Sequence, residues 1–241
     1  MITYHEKKVN WIGHFAESDI ILNYVMEAFI QFYVDLEGSG GRMFYEKFSY
    51  RYDWGSIFRR LWKLKIFKEK FILLVGSELM EKFINCLLND TSHWLEEGIS
   101  KIAEIKTYET KVSKGYTPTD EDKSNHEKNE NICRSNLQLA NENIWMVKQI
   151  SDWAKESFNN EVFANRMASS LNFVLNRIVG PQWIELKVND PKKYKFKPIE
   201  LLSDLAWIYI NLSSIEIFNK AVSGDDIFKI ENAQKASRIL K

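Results

Sequence analysis

Several features that would assign a protein to a particular class are scarce in these 241 residues. Only two cysteines are present, Cys86 and Cys133, too few for a disulfide framework and typical of a reducing compartment. Acidic and basic residues balance at 33 each, which argues against a general polyanion-binding protein. The longest apolar runs, such as residues 71–75, are far shorter than the roughly 18 residues of a membrane span. Residues 1–10 are polar and unlike a secretory signal, so we expect a protein of the cytoplasm and nucleus.

Residues that could carry out chemistry are also sparse. The four histidines have no metal-ligand spacing with each other or with the cysteines, so we expect no metal and no cofactor. Residues 38–41 are glycine-rich but lack the Lys-Ser/Thr of a phosphate-binding loop, and they are predicted to end a helix. Cys86 lies among apolar residues, which raise a thiol pKa, and we interpret it as a structural thiol and predict no catalytic residue.

Almost all of the hydrophobic periodicity that is present has helical spacing. Apolar residues make up 45% of the chain and aromatic residues 14%, enough for an ordered core. Only Tyr4, residues 43–48 and residues 185–188 hint at extended structure, and one helical region is predicted over 53–75. Ser77 and residues 89–91 are predicted helix caps. The pattern predicts an all-α fold of about eight helices in antiparallel pairs.

The composition changes near the middle of the chain. Residues 114–130 lose the apolar stripe and become rich in charged and turn-forming residues. We predict a solvated loop over 114–130 that joins a first helical half, 1–113, to a second half, 131–241.

Two prolines mark a predicted corner in the second half. Asp190 before Pro191 is typical of a helix N-cap followed by a proline at the first helical position. Pro198 begins a second helix, in which the predicted buried stripe is Leu201, Leu205, Ile208 and Leu212. Phe196 and Trp207 are predicted to be structural side chains of this corner.

A basic segment with interleaved aromatic residues is the candidate binding surface. Seven basic residues against two acidic ones give residues 51–70 a net charge of +5. Three interpretations stay open: a solvated face over an aromatic core, a docking surface for an acidic protein, or a single-strand nucleic-acid surface, which the neutral chain makes the weakest. The candidate partner-binding residues are Arg51, Tyr52, Trp54, Arg59, Arg60 and Lys63.

Blocks of sequence in a fixed order resemble one protein family. They include FYVDLE at 32–37, FYEKF at 44–48, FIN at 83–85, LLNDT at 87–91, LNF at 171–173, GP at 180–181 and the proline corner at 188–212. This order resembles the core of the ubiquitin conjugation factors, the U-box ligases that lengthen ubiquitin chains. Lys197 before Pro198 and the segment 223–230 depart from the family pattern, which weakens the resemblance in the last helices.

The resemblance implies an armadillo-like helical solenoid that acts as a scaffold in ubiquitin chain elongation and ubiquitin-dependent degradation. Its implied partners are the ubiquitin-conjugating machinery, ubiquitinated clients and a AAA-type unfoldase. No U-box follows the core here, so we expect this chain to be inactive alone and to need a U-box in trans. The alternatives are a helical adaptor or a nucleic-acid-binding helical module, neither with a role in ubiquitination.

Overall fold

A computed structural model describes residues 19–38 and 44–241, and within them the secondary structure is helical. The α-helices are α1 Asp19–Gly38, α2 Phe44–Leu61, α3 Lys65–Ile72, α4 Glu78–Ser113, α5 Asp120–Trp153, α6 Glu161–Val179, α7 Pro198–Leu212, α8 Glu216–Gly224 and α9 Ile230–Ile239. Short 3-10 helices span Lys155–Phe158, Pro181–Leu186 and Pro191–Tyr194. No strand occurs in these ranges, which confirms the all-α class, and the solenoid arrangement stays a prediction. Tyr4 and residues 39–43 lie outside the described residues.

The chain divides into two compact units, residues 1–83 and 84–241. This boundary differs from the predicted division around 114–130. The described part of the first unit has an aromatic core along one face of α2. Trp54, Phe58 and Trp62 recur every four residues, and their neighbouring ring centroids are 5.1 and 4.9 Å apart. All three side chains are buried, so the aromatic stripe predicted for this segment is part of the core.

Two predictions for the first unit were wrong in detail. Helix α2 begins at Phe44, so the segment 43–48 that hinted at a strand is helical from residue 44. A run this short has too few positions to separate a two-residue from a 3.6-residue period. The single helix predicted over 53–75 is two helices, because Leu64 has an extended backbone (φ −87°, ψ 122°) immediately before α3.

The long helix α4 begins where it was predicted and continues further than expected. The Ser77 hydroxyl accepts a hydrogen bond from the backbone N–H of Met80 at 3.2 Å, so the predicted cap is confirmed. The second predicted cap, at residues 89–91, was wrong because α4 runs through it. There the Thr91 hydroxyl donates to the carbonyl of Leu87 at 2.6 Å, a bond that a helix interior accommodates.

The predicted loop over 114–130 is a loop only as far as Thr119. From Asp120 onward the chain is helical, as the first part of α5. Thr119 and Asp122 form a capping box: the Thr119 hydroxyl accepts from the Asp122 N–H at 3.1 Å, and the Asp122 carboxylate accepts from the Thr119 N–H at 2.9 Å. A polar composition was interpreted as a loop, whereas these two residues satisfy the exposed donors of a helix start.

The proline corner has the predicted local structure. The Asp190 carboxylate accepts hydrogen bonds from the backbone N–H groups of Lys192 and Lys193 at 3.1 and 3.3 Å, and Pro191 begins a 3-10 turn. Phe196 is buried, and Pro198 is the first residue of α7. The predicted stripe on α7 is buried as well: Leu201, Leu205, Ile208 and Leu212.

Glu130 on α5 joins the corner to this long helix. Its carboxylate accepts hydrogen bonds from Lys193 Nζ and from the Tyr194 hydroxyl, each at 2.5 Å, and His126 Nε2 lies 3.3 Å away. Burial alone would raise the pKa of Glu130, but these two hydrogen bonds and the nearby His126 outweigh it and lower that pKa. Burial, and then the bond to Glu130, raise the pKa of the Tyr194 hydroxyl far above its usual value.

The prediction that Trp207 is a buried structural side chain was wrong. Trp207 is 50% exposed and shares the outward face of α7 with Ile199 and Ile210. Its neighbour Ile208 is fully buried, and one step along a helix turns the side chain by about 100°, which is enough to leave the core.

Phe196 and Trp207 provide a matched test of the fold. We expect Phe196→Ala to lower the free energy of unfolding by about 3–5 kcal/mol, because it leaves a cavity beneath the corner. Trp207→Ala should cost less than about 1 kcal/mol, because half of that side chain is already in water. Urea denaturation followed by circular dichroism measures both variants. Equal losses would contradict the assignment of Phe196 to the core and of Trp207 to the surface.

Glu130→Gln tests the link between the corner and α5. We expect a loss of about 1–3 kcal/mol at neutral pH, because two charge-assisted hydrogen bonds are weakened. A carboxyl with a lowered folded-state pKa stabilises the fold above its unfolded pKa, near 4.5, and that contribution is lost as the pH falls further. The difference in the free energy of unfolding between wild type and Glu130→Gln should therefore become smaller below about pH 4.5. Glu127→Gln, which changes an exposed carboxyl, is the control. If the stability difference between wild type and Glu130→Gln did not depend on pH, this role of Glu130 would be refuted.

Candidate docking surface

The basic segment 51–70 covers most of α2, the turn after it and most of α3. Helical spacing places its aromatic residues on one side, because Phe58 and Trp62 lie one turn apart in the core of the first unit. Arg60 and Lys63 are exposed, and Tyr52 and Arg59 are half-buried. We call Tyr52, Arg59, Arg60 and Lys63 the basic face.

Two of the six candidate partner-binding residues do not belong to this face. Arg51 is only 3% exposed; its guanidinium lies 4.5 Å from the ring centroid of Tyr33 and forms an ion pair with Glu37 at 2.9 Å. Trp54 is 2% exposed, stacks on Phe29 at 4.4 Å and donates its indole N–H to the Phe29 carbonyl at 2.7 Å. Both side chains are enclosed inside the unit by residues of α1, so they lie away from the exposed surface, and a role for them in partner binding stays a prediction.

Ion pairs inside the first unit also reduce the positive charge that residues 51–70 present to a partner. Arg51 is neutralised by Glu37, and Lys65 lies 3.4 Å from Glu69 one turn along α3. In the described ranges, Arg60 and Lys63 form no ion pair, and they are the cations that an acidic partner would meet first. Binding by the basic face stays a prediction, and its strength would fall with salt, because exposed charges are screened.

The cysteines are enclosed in the second unit. Cys86 is 5% exposed and Cys133 is fully buried, with its thiol 3.7 Å from the carbonyl oxygen of Gly98. Burial, and to a smaller extent the charge of Glu130, raises the pKa of the Cys133 thiol to about 12. A thiol of this kind is not ionised at neutral pH and is a poor nucleophile. Cys86 is also buried, as predicted for a structural thiol.

Among the described residues no three His, Cys, Asp or Glu side chains come together as a metal site. None of the described helices is long and apolar enough to cross a membrane.

One exposed apolar segment was not predicted from the sequence. Trp183 and Ile184 lie in the 3-10 helix Pro181–Leu186 and are 43% and 53% exposed. A proline directly after Gly180 does signal the end of α6 and a turn, but it does not indicate which aromatic side chains face water. Trp183 and Ile184 each border a surface cleft of the second unit.

Comparison with known proteins identifies a single family. The family model described as "Ubiquitin elongating factor core" matches residues 2–241. A "Probable ubiquitin conjugation factor E4" of Arabidopsis thaliana is 32% identical over 225 residues, which is 88% of this chain and 22% of that protein. An "E4 ubiquitin-protein ligase UFD2" of Saccharomyces cerevisiae is 31% identical over 224 residues, 88% of this chain and 23% of that protein. The chain thus spans about a fifth of the length of these curated relatives.

Arg51 and the basic face should respond differently to truncation. We expect Arg51→Ala to lower the free energy of unfolding by about 2–3 kcal/mol, because it removes a charged hydrogen bond and the contact with the Tyr33 ring. Arg60→Ala and Lys63→Ala should stay within about 0.5 kcal/mol of wild type. Urea denaturation measures all three. A cost for Lys63→Ala equal to that of Arg51→Ala would show that the basic face is also structural.

Proposed function

Because the chain belongs to the ubiquitin elongating factor core family, we propose that it is a core scaffold of a ubiquitin chain elongation factor, acting in ubiquitin-dependent protein degradation. The observation that carries the proposal is the family match along residues 2–241.

The buried thiols support a scaffold over a transferase with its own nucleophile. A ligase that forms a thioester needs an accessible, easily ionised cysteine, and neither Cys86 nor Cys133 is accessible. The other route to chain elongation is to hold a charged conjugating enzyme beside the growing chain, which accelerates transfer by proximity and orientation. We propose that the helical core contributes to this second route, with a U-box supplied in trans.

The proposed partners follow from this role. They are the ubiquitin-conjugating machinery, ubiquitinated client proteins and a AAA-type unfoldase, in the cytoplasm and nucleus. The basic face is the surface that we propose for an acidic partner of this group, with Arg60 and Lys63 as its exposed cations.

A reconstituted reaction tests the proposal. It contains activating enzyme, conjugating enzyme, ubiquitin and a substrate that already carries ubiquitin, with or without a separate U-box polypeptide from one of the relatives. We expect no elongation with this chain alone. Adding it to the U-box polypeptide should raise elongation above that of the U-box alone, because the scaffold increases the local concentration of the reactants.

Cysteine variants separate the possible outcomes. Cys86→Ala should retain the full effect, and Cys133→Ala is the matched control for loss of a second buried thiol. Elongation by the chain alone that disappears only in Cys86→Ala would replace the scaffold with a transferase. A chain that changes nothing in the presence of the U-box polypeptide would refute the scaffold and favour an adaptor with no role in ubiquitination.

A further inference from the structure

Two surface clefts of the second unit are each lined in part by the 3-10 helix Pro181–Leu186, and we call the two together the groove. The exposed side chains of Trp183 and Ile184 form the ridge between two clefts, because one borders the first cleft and the other borders the second. Adjacent exposed large apolar side chains with a cavity on each side are typical of an interaction surface.

The first cleft is apolar and small. It has a volume of about 160 Å³, and its walls include Trp183, Phe196, Pro191 and Pro198. The proline corner therefore forms one wall, and the ridge forms the other. Lys187 also lines the cleft, with its ammonium 5.8 Å from the centroid of the Trp183 ring. This site fits one large apolar side chain with a negative charge beside it.

The second cleft is larger and carries the basic charge. It has a volume of about 380 Å³ between the last turns of α4 and the ridge, where Ile184 supplies an apolar wall. Three lysines line it: Lys106 and Lys111 of α4, and Lys114, which directly follows the helix. Three cations beside an apolar wall favour an acidic ligand that also buries an apolar side chain.

Carboxylates around the groove are already engaged. Glu185, which lines the second cleft, lies 3.2 Å from the Arg177 guanidinium. Glu109 accepts the backbone N–H of Asn189 at 3.0 and 3.2 Å. In the ranges that the structure describes, Lys106 and Lys114 form no ion pair. The groove therefore presents positive charge that the second unit leaves without a carboxylate partner.

We propose that this groove is a docking site for an acidic peptide segment of a partner protein, with one large apolar side chain placed in each cleft. Trp183 is the central contact, and the lysines of the second cleft and Lys187 pair with the acidic residues of the peptide. A polyanion such as a nucleic acid would use the lysines but would leave the apolar first cleft empty. This inference goes beyond the proposed function, because it requires no step of ubiquitin transfer.

An array of synthetic acidic peptides tests the proposal directly. Each peptide is about twelve residues long, an ample length for a groove-binding segment, and consists of Glu, Asp and Ser apart from two large apolar residues. Their separation varies across the array. Fluorescence anisotropy then measures the binding of the best peptides to the whole chain, beside peptides with the two apolar residues changed to Ser and a single-stranded oligothymidine. We expect saturable binding at a preferred separation that requires both apolar residues and weakens with salt.

Variants with matched controls assign the site. Trp183→Ala and the double variant Lys106→Glu/Lys114→Glu should each weaken binding by about tenfold or more. Trp207 is 50% exposed, against 43% for Trp183, but lies outside the groove. Trp207→Ala and the double variant Lys128→Glu/Lys229→Glu, which has the same change in net charge, should bind as the wild type does. Circular dichroism and thermal unfolding show whether each variant is folded.

Three results would overturn the proposal. No saturable binding across the array is the first. Equal binding of the Ser-substituted peptides or of oligothymidine would be the second, because it would mark a general polyanion surface. An unchanged affinity in folded Trp183→Ala would be the third, because the ridge would then not be the contact.

Discussion

The left-handed backbone at Lys195 is the constraint on which the proline corner and the start of α7 depend. Lys195 has φ of 57°, a conformation that costs a non-glycine residue about 1–2 kcal/mol. Its surroundings hold it there: the Phe196 N–H donates to the Pro191 carbonyl at 3.0 Å, and the Asn141 side chain of α5 donates to the Lys195 carbonyl at 2.9 Å. Because the chain reverses here, Phe196 is buried and Pro198 begins α7 against α5. The same turn brings Pro191 and Pro198 together as a wall of the apolar cleft.

Local signals were sufficient to predict this corner. Predictions elsewhere failed for two reasons: a local signal was given too little weight, or the deciding contact is distant in sequence. The cap at Asp190 and the buried stripe on α7 could be predicted because their partners lie within a few residues. The helix over 120–130 was missed although its signal, Thr119 with Asp122, is also local, since a polar composition was given more weight than the capping box. Arg51 could not be placed correctly, because the Glu37 that neutralises it is fourteen positions earlier, on another helix.

Only part of the candidate site on the basic segment could be predicted from the sequence. A net charge on a segment shows how many cations are present, but it does not show which of them are neutralised inside the fold. Of the six residues predicted on the basic segment, two are interior and four remain on the surface. The groove beside Trp183, in contrast, was not predicted from the sequence. Lys106, Lys111 and Lys114 lie in or directly after the last turns of α4, whereas Trp183, Ile184 and Lys187 are more than 60 positions later, so only the folded chain brings them together.

We propose that this chain contributes surfaces and orientation to ubiquitin chain elongation and no nucleophile. The two buried thiols are consistent with this proposal. The most direct measurement is non-reducing electrophoresis after the chain is mixed with a conjugating enzyme charged with labelled ubiquitin. We predict that no reductant-sensitive ubiquitin adduct forms on this chain. A reductant-sensitive adduct that is absent in Cys86→Ala would contradict it.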